Sequence, residues 1–317
     1  MKLAAAQILS AKDRVMARHK DNPTARNDHF KKYNISASTY DEAYCRAYGE
    51  EYLGYLEEQV RSVAGQKIDL LLFPEFCFTP GVLSAVHPTI PLNPNARADA
   101  HKLYTWSGQL FTKWLRRQAK QTGMFLAAAS FTIRAGKIYN TGLLADETGR
   151  LALRYEKIHL PCDEKMSVEF GRRYNYADTR LGRIAFAICY DIQYPEHSAC
   201  LATQGVQIIL HPSGGYTLPD EAVDMGQQRL RVRASDSNAA LVYACFAHDN
   251  TGCRESCVIA PNGDVKACVT GTEVGIAVGE VTVGKRSWPN DKPDAPDREI
   301  QRRDHRRPQT YRPLISK

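Results

Sequence analysis

The sequence predicts an α/β fold in which two packed β-sheets are covered by helices. Apolar strand-like runs alternate with amphipathic helical segments over residues 1–284, and no internal repeat or linker divides them. Residues 182–210 have the pattern of a strand, a turn, a helix and a second strand, which is a βαβ unit. Turn-forming residues at 146–149 and 261–264 separate pairs of strand-like runs, as in β-hairpins. Together, βα units, hairpins and interspersed helices favour one domain of sheets covered by helices.

The first half of the chain alternates strand and helix patterns, with one exception. Residues 11–39 are polar and basic, so we expect an inserted surface loop or a partly ordered excursion there. The other elements, in order, are a strand at 2–9, a helix at 44–63 that ends at Gly65, a strand at 68–73, a loop at 79–98, a helix at 103–115 that ends at Gly123, a strand at 124–131, and a hairpin of 138–145 with 151–155.

The second half contains the βαβ unit, a second hairpin and a tail. In the βαβ unit, Pro195 suits the first turn of a helix and Gly205 ends it. The elements that follow are a helix at 220–238, a strand at 241–247, a hairpin of 256–260 with 265–270, and a strand at 276–283. Residues 285–317 are rich in proline and charge and have too little apolar surface to fold alone, so we expect an extended tail.

The net charge of +7 is concentrated in that tail. Residues 285–317 contain ten Lys or Arg and five Asp or Glu, which leaves +2 for residues 1–284. A basic tail can contact nucleic acid, but this one lacks the interleaved aromatic residues of nucleic-acid-binding motifs. The pattern therefore argues against a nucleic-acid partner.

Hydrophobic runs and cysteines indicate the compartment. No run approaches the ~18 apolar residues of a membrane-spanning helix, and the N-terminus becomes polar too soon for a secretory signal. The nine cysteines are odd in number and scattered through apolar runs, which indicates free thiols in a reducing environment. We therefore expect a cytoplasmic protein with no membrane partner.

Three polar residues end or follow apolar strands: Glu75, Lys157 and Cys189. Taken alone, each has an ordinary explanation as a turn cap, a solvated lysine or a buried structural thiol. Catalytic groups of α/β sheets, however, collect outside the carboxyl ends of strands. A thiol nucleophile, a carboxylate that takes its proton and an ammonium that stabilises an oxyanion form a self-consistent set. Because Cys189 precedes a helix N-terminus, its thiol could be held as a thiolate.

These residues lie in three motifs. Phe-Pro-Glu at 73–75, Tyr-Glu-Lys-Ile-His-Leu-Pro at 155–161 and Ile-Cys-Tyr-Asp-Ile-Gln-Tyr-Pro-Glu at 188–196 resemble, in order and spacing, the three signatures of the nitrilase superfamily of carbon–nitrogen hydrolases. Motifs at 205–213, 231–236 and 257–263 resemble the family's later strand, helix and hairpin. The resemblance thus extends over nearly the whole chain.

This resemblance implies a four-layer αββα sandwich with a Glu-Lys-Cys triad. Cys189 would attack the carbonyl carbon of an amide and form a thioester. Glu75 would be the general base, and Lys157 with the backbone N–H of Tyr190 would hold the oxyanion. The resemblance implies no cofactor.

The family also carries a second glutamate after the lysine motif. Glu164 fits its spacing best, and Glu169 is the alternative. We expect no metal, because His248, Cys253 and Cys257 lack a second pair of zinc ligands at suitable spacing.

The residues after Cys189 resemble the amidase and carbamoylase branches. Nitrile-cleaving members usually have Trp-Glu where this chain has Tyr190-Asp191. Residues 306–311 resemble the C-terminal pattern of N-carbamoyl-amino-acid hydrolases, but Gln193 stands where those enzymes commonly have an arginine. Glutamine cannot carry the charge that pairs with a carboxylate. We therefore expect a small amide or carbamoyl substrate, with N-carbamoyl amino acids or nitriles as alternatives.

Two further expectations concern partners. By the same resemblance, subunits pair through helices beside the nucleophile, so we expect a homodimer or larger homo-oligomer in which the tail crosses to a neighbour. The alternative from another class is a non-catalytic or nucleic-acid-binding protein that uses the basic tail.

Overall fold

The computed structural model of the protein describes residues 1–35, 37–80, 94–161, 164–214, 225–247, 255–284 and 306–314. Two six-stranded sheets pack face to face, and helices cover both outer faces. This four-layer αββα arrangement confirms the predicted fold class. Across the described ranges, no helix combines the length and apolar character needed to cross a bilayer.

The first sheet is built from the first half of the chain and the last strand. Its strands are β1 (Lys2–Gln7), β2 (Leu70–Leu72), β3 (Phe125–Arg134), β4 (Lys137–Ala145), β5 (Leu151–Glu156) and β12 (Gly275–Glu280), in the order β12-β1-β2-β3-β4-β5. β1, β2 and β3 are parallel, whereas β3, β4 and β5 are successively antiparallel. Two reversals cancel, so β2 and β5 point in the same direction.

The second sheet is built from the second half of the chain. Its strands are β6 (Tyr176–Thr179), β7 (Gly182–Phe186), β8 (Ile208–Pro212), β9 (Ala240–Ala244), β10 (Cys257–Ile259) and β11 (Val265–Cys268), in the order β11-β10-β9-β8-β7-β6. A 3-10 turn (Cys189–Gln193) and helix α5 (Pro195–Thr203) join β7 to its parallel neighbour β8. This is the βαβ unit that the sequence predicts.

Apolar helix faces cover the two sheets. The remaining helices are α1 (Ala11–Arg18), α2 (Pro23–Tyr33), α3 (Glu42–Val63), α4 (Pro94–Thr122) and α6 (Met225–Ser237). Buried side chains of α3 and α4 pack on the first sheet, and those of α5 and α6 pack on the second.

The interface between the sheets is closely packed at the strand that leads to the candidate nucleophile. Phe186 of β7 is fully buried and stacks on Tyr155 of β5, with ring centroids 6.3 Å apart. A Cβ atom at Gly142 of β4 would lie 2.8 Å from Cγ of Phe186, so only glycine permits this approach. Removing the Phe186 ring would cost about 3–5 kcal/mol. The contact holds β7, and therefore Cys189, against the first sheet.

The 11–39 segment is not the polar loop that the sequence predicts, because it forms α1 and α2. The Ser10 hydroxyl and the Asp13 carboxylate cap α1 reciprocally, and the Asn22 side chain caps α2. Three of its apolar side chains are buried: Val15, Tyr33 and Ile35. The polar composition concealed these few buried positions and the capping residues.

Some predicted boundaries also shift. Helix α4 begins at Pro94, so the last residues of the predicted loop at 79–98 are helical. The rest of that loop, residues 81–93, lies outside the described residues, as does the start of the predicted helix at 220–238. Within the predicted tail, the described part forms a 3-10 turn, Pro308–Leu314.

His211 is a buried histidine on β8 that the structure keeps uncharged. Its Nδ1 donates to the carbonyl oxygen of Ala187 at 2.6 Å, and its ring stacks on Tyr243. Burial lowers the pKa of His211 from 6.5 to about 4. The unfolded chain therefore takes up a proton at this side chain below about pH 6.5 while the folded protein does not, so its stabilising contribution is lost as pH falls from there towards 4.

We predict that His211→Asn makes the stability of the protein less sensitive to acid. Asparagine keeps a donor for Ala187 but does not titrate. Between about pH 7.5 and about pH 5, the free energy of unfolding should fall by about 2 kcal/mol less in the variant than in the wild type. Urea unfolding at the two pH values measures this difference. Parallel losses in the two proteins would contradict the assignment of a neutral His211.

Candidate active site

The three candidate residues follow strand ends in both sheets. Glu75 lies in the turn after β2, Lys157 directly follows β5, and Cys189 opens the 3-10 turn after β7. The parallel directions of β2 and β5 bring their carboxyl ends to one side of the first sheet. The packing of β7 on that sheet then adds the cysteine from the second sheet.

A buried lysine between two glutamates forms the centre of the site. The Nζ of Lys157 donates to Oε1 of Glu75 at 2.8 Å and also hydrogen-bonds Oε2 of Glu164. Lys157 and Glu75 are each only 1% exposed. Asn140, in the middle of β4, donates its Nδ2 to Glu75 at 2.7 Å and to Glu164 at 2.6 Å. These four side chains therefore form one hydrogen-bonded cluster.

The backbone of Lys157 is held from both sides. Its N–H donates to the carbonyl oxygen of Asn140 at 2.9 Å, and its own carbonyl oxygen accepts the N–H of Gly171 at 2.8 Å. A Cβ atom at Gly171 would lie 1.9 Å from the carbonyl oxygen of Glu156, so only glycine can approach the strand end this closely. The Lys157 side chain thus leaves a backbone position with little freedom.

Cys189 is held in an uncommon backbone conformation. Its φ is +43°, in the left-handed region that costs a non-glycine residue roughly 1–3 kcal/mol. The two residues that follow β8 contact both catalytic side chains. The Ser213 hydroxyl hydrogen-bonds the sulfur of Cys189, and the N–H of Gly214 donates to Oε2 of Glu75 at 2.7 Å. Two consecutive residues of one strand end therefore connect the thiol with the carboxylate.

The site electrostatics favour a protonated thiol beside a charged lysine. Burial raises the pKa of the Cys189 thiol, the negative charge of Glu75 raises it further, and Lys157 only partly opposes them. Burial would lower the pKa of Lys157, but Glu75 and Glu164 outweigh it and keep that pKa above its ordinary value. Burial also raises the pKa of Glu164. The thiolate suggested by the nearby helix N-terminus is therefore not the resting state, because desolvation is the larger effect.

Asp191 connects the nucleophile turn with the lysine strand. Its Oδ1 accepts the backbone N–H and the Nδ1 of His159 at 2.9 and 2.8 Å. Its Oδ2 accepts the Tyr155 hydroxyl at 2.7 Å and the Ile188 N–H at 3.0 Å. Tyr155 and His159 lie two residues before and after Lys157. The Asp191 carboxylate therefore fixes the position of the turn that begins at Cys189 relative to the chain segment that carries Lys157.

The same aspartate belongs to a group that could in principle hold a metal. Within the described part of the chain, ligand atoms of His159, Asp191 and His197 lie within 4.8 Å of one another. Both carboxylate oxygens of Asp191 already accept two hydrogen bonds, and the 2.8 Å separation from His159 leaves no space for an ion between them. The donors present therefore fit a hydrogen-bonded network. Of the residues weighed for zinc in the sequence, His248 and Cys253 lie outside the described ranges.

The two candidates for the second glutamate have different surroundings. Glu164, in the 3-10 turn Glu164–Met166, is the one that contacts Lys157. Glu169 pairs with Lys137 at 3.2 Å on the surface. The geometry favours Glu164, as its spacing does.

Two further predicted positions lie in the 3-10 turn after β7. Tyr190 is near its start, where the N–H groups of a helical turn have no carbonyl partner within the turn, so its N–H remains the candidate oxyanion donor. Gln193 ends the turn, and its carbonyl oxygen accepts Nη2 of Arg233 at 3.4 Å.

Three residues of the site were not identified from the sequence: Asn140, Ser213 and Gly214. Asn140 has a recognisable signal, since it is an amide inside the mostly apolar strand Lys137–Ala145. Ser213 and Gly214 follow the apolar run of β8, and polar residues at such strand ends are candidates by the same rule that selected Glu75.

Comparison with known proteins gives the family. The sequence model of the Carbon-nitrogen hydrolase family matches residues 47–289, which is most of the chain. The chain is 31% identical over 191 residues to 2-oxoglutaramate amidase of Bacillus subtilis, covering 58% of this chain and 72% of that protein. It is 28% identical over 188 residues to the human omega-amidase NIT2, covering 55% and 67%.

Solved structures agree on the fold. An amidase from Nesterenkonia AN1 of the nitrilase superfamily aligns over 99% of this chain and 97% of its own, with a TM-score of 0.67 and 20% identity. The chain belongs to the carbon–nitrogen hydrolase family. It is an amidase-like hydrolase of carbon–nitrogen bonds other than peptide bonds.

We predict that Glu164→Gln lowers kcat for amide hydrolysis by about 10²-fold. The glutamine side chain would lack one of the two negative charges that hold the ammonium of Lys157, and it would direct N–H groups towards that ammonium. Ammonia release under saturating substrate measures the effect.

The matched control is Glu169→Gln, which removes only an exposed ion pair of small energetic value. Its kcat should stay within about twofold of the wild type. Equal losses in the two variants would contradict the assignment of Glu164.

Proposed function

We propose that this protein hydrolyses a small amide through a thioester formed on Cys189. The observation that carries the proposal is the buried Glu75–Lys157–Glu164 cluster, connected by Ser213 and Gly214 to a cysteine with a strained backbone. Strained residues of this kind concentrate at active sites. Membership of a hydrolase family leaves the non-catalytic, nucleic-acid-binding alternative without support.

Acylation begins with a neutral thiol. As Cys189 Sγ attacks the carbonyl carbon, its proton moves to the carboxylate of Glu75, and the carbonyl oxygen becomes an oxyanion. The ammonium of Lys157 and the backbone N–H of Tyr190 stabilise that oxyanion. The intermediate then collapses, Glu75 passes the proton to the departing nitrogen, and ammonia or an amine leaves the thioester.

Deacylation repeats the proton transfers with water. Glu75 takes a proton from the attacking water, and the thioester bond breaks. The sulfur leaves as a thiolate and takes the proton from Glu75, which restores both the neutral Cys189 and the carboxylate. Glu164 and Asn140 keep Lys157 and Glu75 aligned through both halves, which is the kind of preorganisation that electrostatic catalysis requires.

The favoured substrates are primary amides of small acids. The relatives named as amidases support this class. Tyr190-Asp191 and the uncharged Gln193 favour it over nitriles and N-carbamoyl amino acids, which remain the alternatives within the family. Next to the carboxylate, the half-buried Phe76 ring lies 5.1 Å from that of Phe131, which gives one side of the site an apolar wall.

Exposed apolar side chains and free cysteines bear on assembly and compartment. A homodimer or larger homo-oligomer fits the exposed apolar side chains Met225 and Val232 on α6. The described cysteines are free thiols, which fits a reducing compartment such as the cytoplasm.

We predict that Cys189→Ala abolishes amide hydrolysis. The alanine removes the nucleophile, so ammonia release over a panel of small primary amides and carbamoyl compounds should fall by at least about 10³-fold. With wild-type enzyme quenched during turnover, peptide mass spectrometry should find the acyl group on Cys189.

Cys200→Ala is the control, because Cys200 is a half-buried thiol on the neighbouring helix α5 that the mechanism does not use. It should retain wild-type turnover. Hydrolysis that persists in Cys189→Ala would overturn the thioester mechanism, and so would an acyl group found on another cysteine alone.

A further inference from the structure

The turn that carries Glu75 contains backbone strain. Phe76, the next residue, has a φ of +53°, which a bulky side chain adopts only when its surroundings enforce it. Its ring also lies against the end of β8: a Cβ atom at Gly214 would be 3.2 Å from Phe76 and 3.3 Å from Oε2 of Glu75. The position of the carboxylate therefore depends on what holds this turn.

The core of the fold holds one side of the turn. The N–H of Cys77 donates to the carbonyl oxygen of Ala129 at 3.0 Å, and the Ser130 hydroxyl donates to the carbonyl oxygen of Phe78 at 2.6 Å. Both partners belong to β3, the strand next to β2. These bonds fix the turn to the sheet but leave its far end, at Thr79, without a bond to β3.

The 11–39 segment holds that far end. Tyr33, the last residue of α2, is 1% exposed, and its hydroxyl donates to the carbonyl oxygen of Thr79. The Thr79 hydroxyl in turn donates to the carbonyl oxygen of Phe76 at 3.2 Å. A two-step chain of hydrogen bonds thus runs from α2 to the strained residue beside Glu75.

Apolar packing connects the same segment with both catalytic carboxylates. One buried cluster contains Val15, Tyr33 and Ile35 of the segment together with Leu160 and Val168, which lie on either side of Glu164 in the sequence. The partly buried Phe76, next to Glu75, packs against this cluster. The segment therefore supports the site from outside rather than lying on the remote surface.

We propose that Tyr33 is a positioning residue for Glu75, so that the helix pair α1–α2 sets the alignment of the general base. This inference rests on the proposed function. It also gives the 11–39 segment, which precedes the family match at residues 47–289, a role in catalysis. Misplacing a catalytic group by about 1 Å can cost about 10²-fold in rate, so one hydroxyl is sufficient to affect turnover.

The test compares Tyr33→Phe with Tyr52→Phe. Tyr52 is also buried and donates its hydroxyl to the carbonyl oxygen of Leu9 at 2.8 Å, an acceptor that follows β1 and does not belong to the turn. Each variant loses one buried hydroxyl, so both should lose similar stability. Tyr33→Phe should lower kcat by about 10-fold or more with little change in KM, whereas Tyr52→Phe should keep wild-type kcat.

A readout that needs no substrate is the alkylation of Cys189 by iodoacetamide. Peptide mass spectrometry compares its rate with that of Cys200 in the same molecule. Because Glu75 takes the thiol proton, the ratio should fall in Tyr33→Phe and stay constant in Tyr52→Phe. Thr79→Val removes the hydroxyl that donates to Phe76 and should lower kcat and the alkylation ratio in the same way. This second variant provides the test if Tyr33→Phe folds poorly.

The outcomes separate this inference from the proposed function. If Cys189→Ala remains active, the proposed function is wrong. If activity depends on Cys189 but Tyr33→Phe and Thr79→Val match Tyr52→Phe in kcat and in alkylation ratio, the positioning role alone is overturned.

Discussion

The structure depends on one buried ion cluster, Lys157 between Glu75 and Glu164. Removing three charged groups from water costs several kcal/mol for each, and only close pairing with full hydrogen bonding offsets this. The offset comes from Asn140, which donates to both carboxylates, and from Gly214, which donates to Glu75. The strands that supply these donors must therefore meet at one place, and the sandwich of two sheets brings them together.

The surroundings of the cluster also affect the state of the nucleophile. Burial is the main cause that raises the pKa of the Cys189 thiol, and the negative charge of Glu75 raises this pKa further, so a thiolate is disfavoured before substrate arrives. A charged lysine remains available for the oxyanion because the glutamates hold its pKa high. In the proposed mechanism, Glu75 accepts the thiol proton as the sulfur attacks, and the negative charge develops on the carbonyl oxygen beside the ammonium of Lys157.

The sequence predicted the fold class, and its motifs selected Glu75, Lys157 and Cys189, which the structure places after strand ends. Strand ends, helix stripes and hairpin turns are local patterns, and Glu75, Lys157 and Cys189 each follow a local apolar run. Asn140 was missed because its partners are 65 and 24 residues away along the chain. The helices at 11–39 were not predicted because the segment is mostly polar and basic. Its two helix caps and three buried apolar side chains are too few to change that composition. The raised pKa of Cys189 could not be derived either, since desolvation depends on the packing of both sheets.

The proposed mechanism is tested most directly by the protonation state of Cys189 near neutral pH. The difference in ultraviolet thiolate absorbance between wild type and Cys189→Ser reports it without any substrate. A neutral resting thiol should give no thiolate signal at neutral pH and a signal that develops only in alkaline solution. A full thiolate signal from Cys189 at neutral pH would contradict it, because Glu75 would then have no thiol proton to accept.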